Sequence, residues 1–139
     1  FEEAYYSDLA NGVGNTVARV AKLAEKSGLE FESRFINPKE SFDPTIKQYF
    51  EDFRTDLVLQ KIWEKLTEID KHVNVNEPWK LLTKENTKKL REILQWEIDA
   101  LREVGVLIEP FLPETSQKIS EIFNEIKVKS VEILFPRLG

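Results

Sequence analysis

An all-α fold, an antiparallel helix bundle, follows from three features of this 139-residue chain. Charged residues make up 32% of it while Gly and Pro number only 5 and 6, a composition suited to amphipathic helices. Apolar residues recur at steps of three and four rather than alternating. Pro and Gly punctuation divides the chain into segments of helical length. Hydrophobic residues reach 41%, with nine Phe, three Trp and three Tyr, enough for one core shared by a single domain over residues 1–139.

The first helix is expected from Glu2 to Lys26. Leu9, Val13, Val17, Val20 and Ala24 are spaced 4, 4, 3 and 4 and share one stripe, while Asn15, Arg19, Lys22 and Lys26 fall on nearly the opposite one. Gly12 and Gly14 inside this helix cost about 1 kcal/mol each against Ala, so another helix or a ligand should approach closely there. Ser27-Gly28 ends it with a Gly cap. Residues 28–43 read as a loop holding Asn37-Pro38, and Asp43-Pro44 then starts the next helix as N-cap and first helical residue.

Ile46, Phe50, Phe53 and Leu57, then Ile62, Leu66, Ile69 and Val73, continue at helical spacing. Thirty residues is long for one globular helix, so a break is expected near Asp52-Phe53-Arg54. Asn74 to Pro78 forms a short loop, and Thr83 is the expected cap of a helix carrying Leu90, Leu94, Ile98, Leu101 and Ile108 and ending at Pro110. Pro113 opens a fourth helix, Glu114 to Asn124, with Glu114 placed well for a helix N-terminus. The last fifteen residues suit an extended tail packed on the bundle. Trp63 and Trp96 are expected in the core or just below the surface.

Several function classes are excluded or disfavoured. With no Cys there are no disulfides, thiolate metal sites or Cys nucleophiles, and one His, His72, is too few for a zinc cluster. His72 reads as a surface or helix-end residue. No apolar run approaches the roughly 20 residues of a membrane span and no signal peptide opens the chain, which fits a reducing, cytoplasmic setting. The chain lacks Met and starts Phe1-Glu2-Glu3, so it reads as a fragment of something longer. No phosphate-binding Gly loop or Gly-x-Ser-x-Gly elbow occurs, and Gly12-Val13-Gly14 lies within a helix. Carboxylates such as Glu2, Glu3, Glu51, Asp52 and Glu85 read as solvated faces, none in an apolar pocket. The net charge of −5 argues against a general nucleic-acid binder. It leaves room for a local basic stripe, since screening shortens charge effects to about 8–10 Å. At this level the residues give a helix bundle with one polar, basic stripe and no named function.

Four segments in order add a resemblance. Ser7-Asp8-Leu9-Ala10-Asn11-Gly12-Val13-Gly14-Asn15-Thr16-Val17-Ala18-Arg19-Val20 resembles the opening helix of the anticodon-binding domain of methionyl-tRNA synthetases, with its Asp-Leu-Ala-Asn, its Leu-Gly-Asn and an Arg four residues on. Val73 to Leu81, ending Pro78-Trp79-Lys80-Leu81, is similar to the family's Pro-Trp-Lys-Leu segment. Leu107-Ile108-Glu109-Pro110-Phe111-Leu112-Pro113-Glu114-Thr115 is similar to its Pro-Phe-Met-Pro-Glu-Thr stretch, which the class I synthetases for Leu, Ile, Val and Cys share. Ile133-Leu134-Phe135-Pro136-Arg137-Leu138 resembles the Leu-Phe-Pro-Arg-Ile that closes the domain. Residues 25–44 and 124–132 are not well matched. Val13 stands for the usual Leu and Leu112 for the usual Met.

The resemblance implies an all-α antiparallel bundle of the class I aminoacyl-tRNA synthetase anticodon-binding type. It implies a role in binding the CAU anticodon loop of methionine tRNA for a catalytic domain elsewhere in the same chain. That catalytic domain would bind ATP and methionine, so this fragment needs no cofactor or metal and carries no catalytic residue. No DNA or membrane partner is implied. It assigns Asn15, Arg19, Pro78 and Trp79 to the anticodon, with Lys22, Lys26, His72 and Asn76 as backbone or secondary contacts. The residue types suit the task. Unstacked loop bases are read on their edges and stacked on aromatics, and each base on an aromatic ring is worth about 1–3 kcal/mol. Trp79 offers the ring and Pro78 fixes the backbone before it. Asn15 and Arg19, at i and i+4, lie side by side with donors and acceptors. A sister class I specificity and a helical protein-interaction module remain as alternatives.

Overall fold

The computed structural model describes residues 2–32 and 43–123. Among them the chain forms α1 (Glu2–Ser27), α2 (Pro44–Glu51), α3 (Thr55–Asn76), two 3-10 turns η1 (Pro78–Leu81) and η2 (Lys84–Asn86), α4 (Thr87–Ile108) and α5 (Pro113–Phe123). No strand occurs among the described residues, and none of the helices is long and apolar enough to cross a membrane.

The stripes expected from the sequence form the core. Leu9, Val13, Val17 and Val20 of α1, Ile62, Leu66, Ile69 and Val73 of α3, and Leu90, Leu94, Ile98 and Leu101 of α4 are all buried in one cluster. Removing each Leu, Ile or Val side chain from water contributes about 1.5–3 kcal/mol, which is what holds helices of ordinary propensity together.

Cross-links fix the helix directions. Lys65 meets Glu103 and His72 meets Glu97, so α3 and α4 are antiparallel. Ser116 donates to the Gly105 carbonyl and Arg102 donates to the Phe123 carbonyl, so α4 and α5 are antiparallel too. The pair α1 and α3, not adjacent along the chain, runs the same way: Trp63 bonds Tyr5, Thr16 bonds Asp70, and Arg19 bonds Asn74. The close approach expected at Gly12 is made by Trp63, whose ring carbons lie 3.0 Å from where a Cβ would stand.

Boundaries follow their local chemistry. Gly28 takes a φ of 66° at the end of α1. Asp43 accepts from the Thr45 amide at 2.6 Å with Pro44 in the first turn of α2. The expected break falls at residues 52–54, where Phe53 adopts a φ of 56° and is 87% exposed. Arg102, only 9% exposed, ties three segments: it donates to the Phe123 and Glu32 carbonyls and to Asp99. Two of those acceptors are main-chain oxygens, one at the last described residue of α5 and one just past α1.

Three expectations need correction. Thr83 does not cap the third long helix: that helix starts at Thr87, and the Thr83 side chain makes no capping bond but accepts from Asn86 Nδ2 at 3.0 Å. The loop expected at Asn74–Pro78 is in fact the end of α3, and Pro78 opens a 3-10 turn. Trp96 is not a core residue but 41% exposed, while Trp63 is half-buried against Gly12. The expected tail over residues 124–139, with the fourth matching segment, and most of the 28–43 loop lie outside the described residues.

Candidate nucleic-acid interface

The turn after α3 places Trp79. The amide of Glu77 closes the helix on the Val73 carbonyl at 3.0 Å, and Glu77 itself turns into the left-handed region at φ 46°, ψ 58°. Pro78, with its preset φ, then starts η1 with its ring buried. One residue later Trp79 emerges 43% exposed, while Leu81 packs back on the core. Lys80 and Glu77 form an ion pair beside it. A large aromatic ring is thus held half in water on a short, pinned turn.

Arg19 meets it from α1. Its Nη2 donates to Asn74 Oδ1 at 2.6 Å, and its guanidinium carbon lies 5.9 Å from the centroid of the Trp79 ring. A cation at that distance from a Trp face contributes about 0.5–1 kcal/mol at an exposed site. Helix α1, the end of α3 and η1 therefore bring a planar donor fork, an amide and an indole to one patch.

The remaining sequence-assigned residues distribute around it. Asn15 is exposed one turn before Arg19, and Lys22 and Lys26 are exposed on the turns after it. Pro78 is buried, so its part is to aim the backbone. Asn76 donates its side-chain amide to the His72 carbonyl at 2.9 Å, one turn back along α3. His72 turns toward α4, stacks on Trp96 at 4.1 Å with 19° between planes, and lies 2.6 Å from Glu97 through Nδ1.

Sequence reasoning missed two residues. Asn74, quoted only within a motif, supplies the acceptor that fixes Arg19; its spacing to Trp79 gave no sign of a partner on another helix. Glu97, outside every carboxylate pair considered, is completely buried. The available signal was its place on the apolar stripe, four residues before Leu101 and four after Ile93. Burial pushes its carboxyl up to about 8 against the pull of Arg19's charge, and burial pushes His72 down against the charge of Glu68. Both directions favour a neutral pair in which the Glu97 hydroxyl donates to His72 Nδ1. Among the described residues no group of three or more His, Cys, Asp or Glu could hold a metal ion.

Fold and patch together define an all-α helical bundle with an open surface of hydrogen-bonding and stacking groups. Comparison with known proteins makes the relationship particular. The chain is 28% identical over 95% of its length to a methionine–tRNA ligase of Caldanaerobacter subterraneus subsp. tengcongensis. It is 29% identical over 81% of its length to that of Thermotoga maritima, and 25% identical over 99% to that of Bacillus subtilis. It spans 25%, 20% and 26% of those relatives' own lengths. The chain is homologous to a portion of the methionine–tRNA ligases, the family to which the four segments pointed. No protein-family model and no solved structure matches it.

Proposed function

We propose that this chain, over residues 1–139, is the anticodon-recognising helical domain of a methionine–tRNA ligase. It binds the CAU loop and orients tRNA for a catalytic domain in the same cytoplasmic enzyme, which joins methionine to tRNA at the expense of ATP. The observation that carries this reading is the meeting of Arg19, Asn74 and Trp79 from three segments at one exposed patch.

Each group has a task in that reading. Trp79 stacks an unstacked base, and Pro78 holds the turn that presents it. Arg19 and Asn15 address base edges or a phosphate, and Asn74 keeps the Arg19 fork in register. Lys22 and Lys26 attract the backbone and so act alike on every sequence. Asn76 braces the end of α3, and His72 lies behind it. A wrong base leaves polar groups desolvated without partners, which is how such a surface discriminates.

The test is binding to an RNA stem-loop with CAU in its loop, beside the same stem-loop with its first anticodon base changed. We expect salt-sensitive preference for CAU, and a loss of roughly tenfold or more in Trp79→Ala from the lost stacking. Equal binding to both loops would remove the methionine assignment. Folded protein that binds neither would favour a protein-interaction module.

A further inference from the structure

Residues 80–91 stand apart from the rest of this acidic chain. They hold five of its twenty Lys and Arg and one of its twenty-five Asp and Glu. Lys80 is tied to Glu77. Lys84, Lys88, Lys89 and Arg91 are exposed, and none of the four makes an ion pair among the described residues.

The fold places these cations beside the Trp79 patch. Helix α1 runs with α3, and α3 runs against α4, so the ends of α1 and α3 and the start of α4 share one end of the bundle. The turn that carries Trp79 packs there on α4, with Leu81 set against the core cluster that buries Leu90. Lys88 and Arg91, at i and i+3, are neighbours on the surface of α4. The cations also sit where a helix tolerates them least. A helix start is the positive end of its dipole and favours acids. Helix α3 has Asp56 in its first turn and α5 has Glu114, whereas α4 has no acid there and opens Thr87-Lys88-Lys89. The Asn86 side chain does not cap that start but donates to Thr83. Stability of the helix alone disfavours this choice of residues, and such local conflicts are expected where a surface serves a partner. Charge complementarity makes the partner a polyanion, and continuity with the Trp79 ring makes it the molecule whose base stacks there.

We propose that Lys84, Lys88, Lys89 and Arg91 form a phosphate-binding surface over which the RNA backbone runs as its loop bases reach Trp79 and Arg19. The choice of RNA rests on the anticodon reading above. The two surfaces divide the work: a cation on a phosphate is blind to the base, so the start of α4 supplies affinity and the Trp79 patch supplies selection.

Stability and binding should move in opposite directions. Replacing both lysines, Lys88→Glu with Lys89→Glu, puts acids at the positive helix end, so the thermal midpoint should rise by about 2–5 °C. The same protein should bind the CAU stem-loop more than roughly tenfold more weakly at about 0.1 M salt. Lys88→Gln and Arg91→Gln, each alone, should lessen the slope of log affinity against log salt by about 0.7–0.9 and weaken binding about fivefold, equally for CAU and for the altered loop. Lys47→Gln, at an exposed lysine of α2, should change that slope by less than about 0.2. An unchanged slope in Lys88→Gln and Arg91→Gln, beside a CAU preference in the parent protein, overturns this surface and leaves the anticodon reading intact. A lessened slope with equal binding to both loops keeps the surface and removes the anticodon reading. Folded protein that binds neither loop overturns both.

Discussion

Arg19 and Arg102 are the same residue on two helices of one bundle, and they do opposite things. Arg102 is nearly buried, and its guanidinium is met by two main-chain carbonyls and a carboxylate from three segments. Arg19 stands half in water with an amide oxygen as its bonded acceptor and an indole face beside it. What separates a structural tie from a group left open to a partner is how many acceptors the fold itself supplies. A guanidinium whose acceptors are all internal has nothing to offer a ligand. One held by a single side chain keeps its direction and retains donors for a partner.

Matched substitutions test that contrast most strongly. Arg102→Met should lower stability by about 3 kcal/mol, because it leaves the buried Phe123 carbonyl without its donor and removes a charged partner from Asp99 and the Glu32 carbonyl, whereas Arg19→Met should cost about 1 kcal/mol. Urea unfolding followed by circular dichroism measures both, and equal losses would erase the distinction. Glu97 supplies an intermediate case, a buried polar group half satisfied. Its carboxyl is raised in the fold from 4.5 to about 8, so the folded state holds the proton more tightly. Its contribution to stability is full below the unfolded value and is lost as pH rises toward about 8. Relative to Glu97→Gln, the native protein should therefore lose on the order of 2 kcal/mol across that window, with the difference read at each pH from the same unfolding experiment. A constant difference would mean that the carboxyl is not buried as described. A smaller effect than those at Arg102 and Glu97 is expected at Gly12→Ala. Ala gains about 1 kcal/mol in helix propensity, and moving the Trp63 ring should cost more, leaving a net loss of about 1 kcal/mol in thermal or urea unfolding. A gain in stability would show that the Trp63 contact yields freely.

The parts of this fold legible in the sequence are those governed by neighbours along the chain. The α1 stripe, the Asp43-Pro44 start, the break at 52–54 and the Gly28 cap depend on residues within a turn or two, and the structure has each of them. Gly12 was legible as a close approach but not as a meeting with Trp63, since the partner lies on another helix. Thr83 failed as a cap because Lys84 to Asn86 tighten into a 3-10 turn first, and no local pattern excludes that. Trp96, expected in the core or just below the surface, instead stacks on a histidine and stands 41% exposed. At the candidate interface Arg19 and Trp79 were read by family resemblance. Asn74 and Glu97 were not, because their importance lies in partners on α1 and α3 that no spacing reveals.

The parallel alignment of α1 and α3 has a consequence for how the chain folds. Arg19 and Asn74 are 55 residues apart, and parallel helices cannot be joined by a tight turn, so the chain must return through α2 before they meet. The α3–α4 and α4–α5 hairpins close over short connections, while this pairing bears the entropy of a long loop. The patch that joins α1 to the end of α3 is therefore expected to form late in folding, after the helices that carry it.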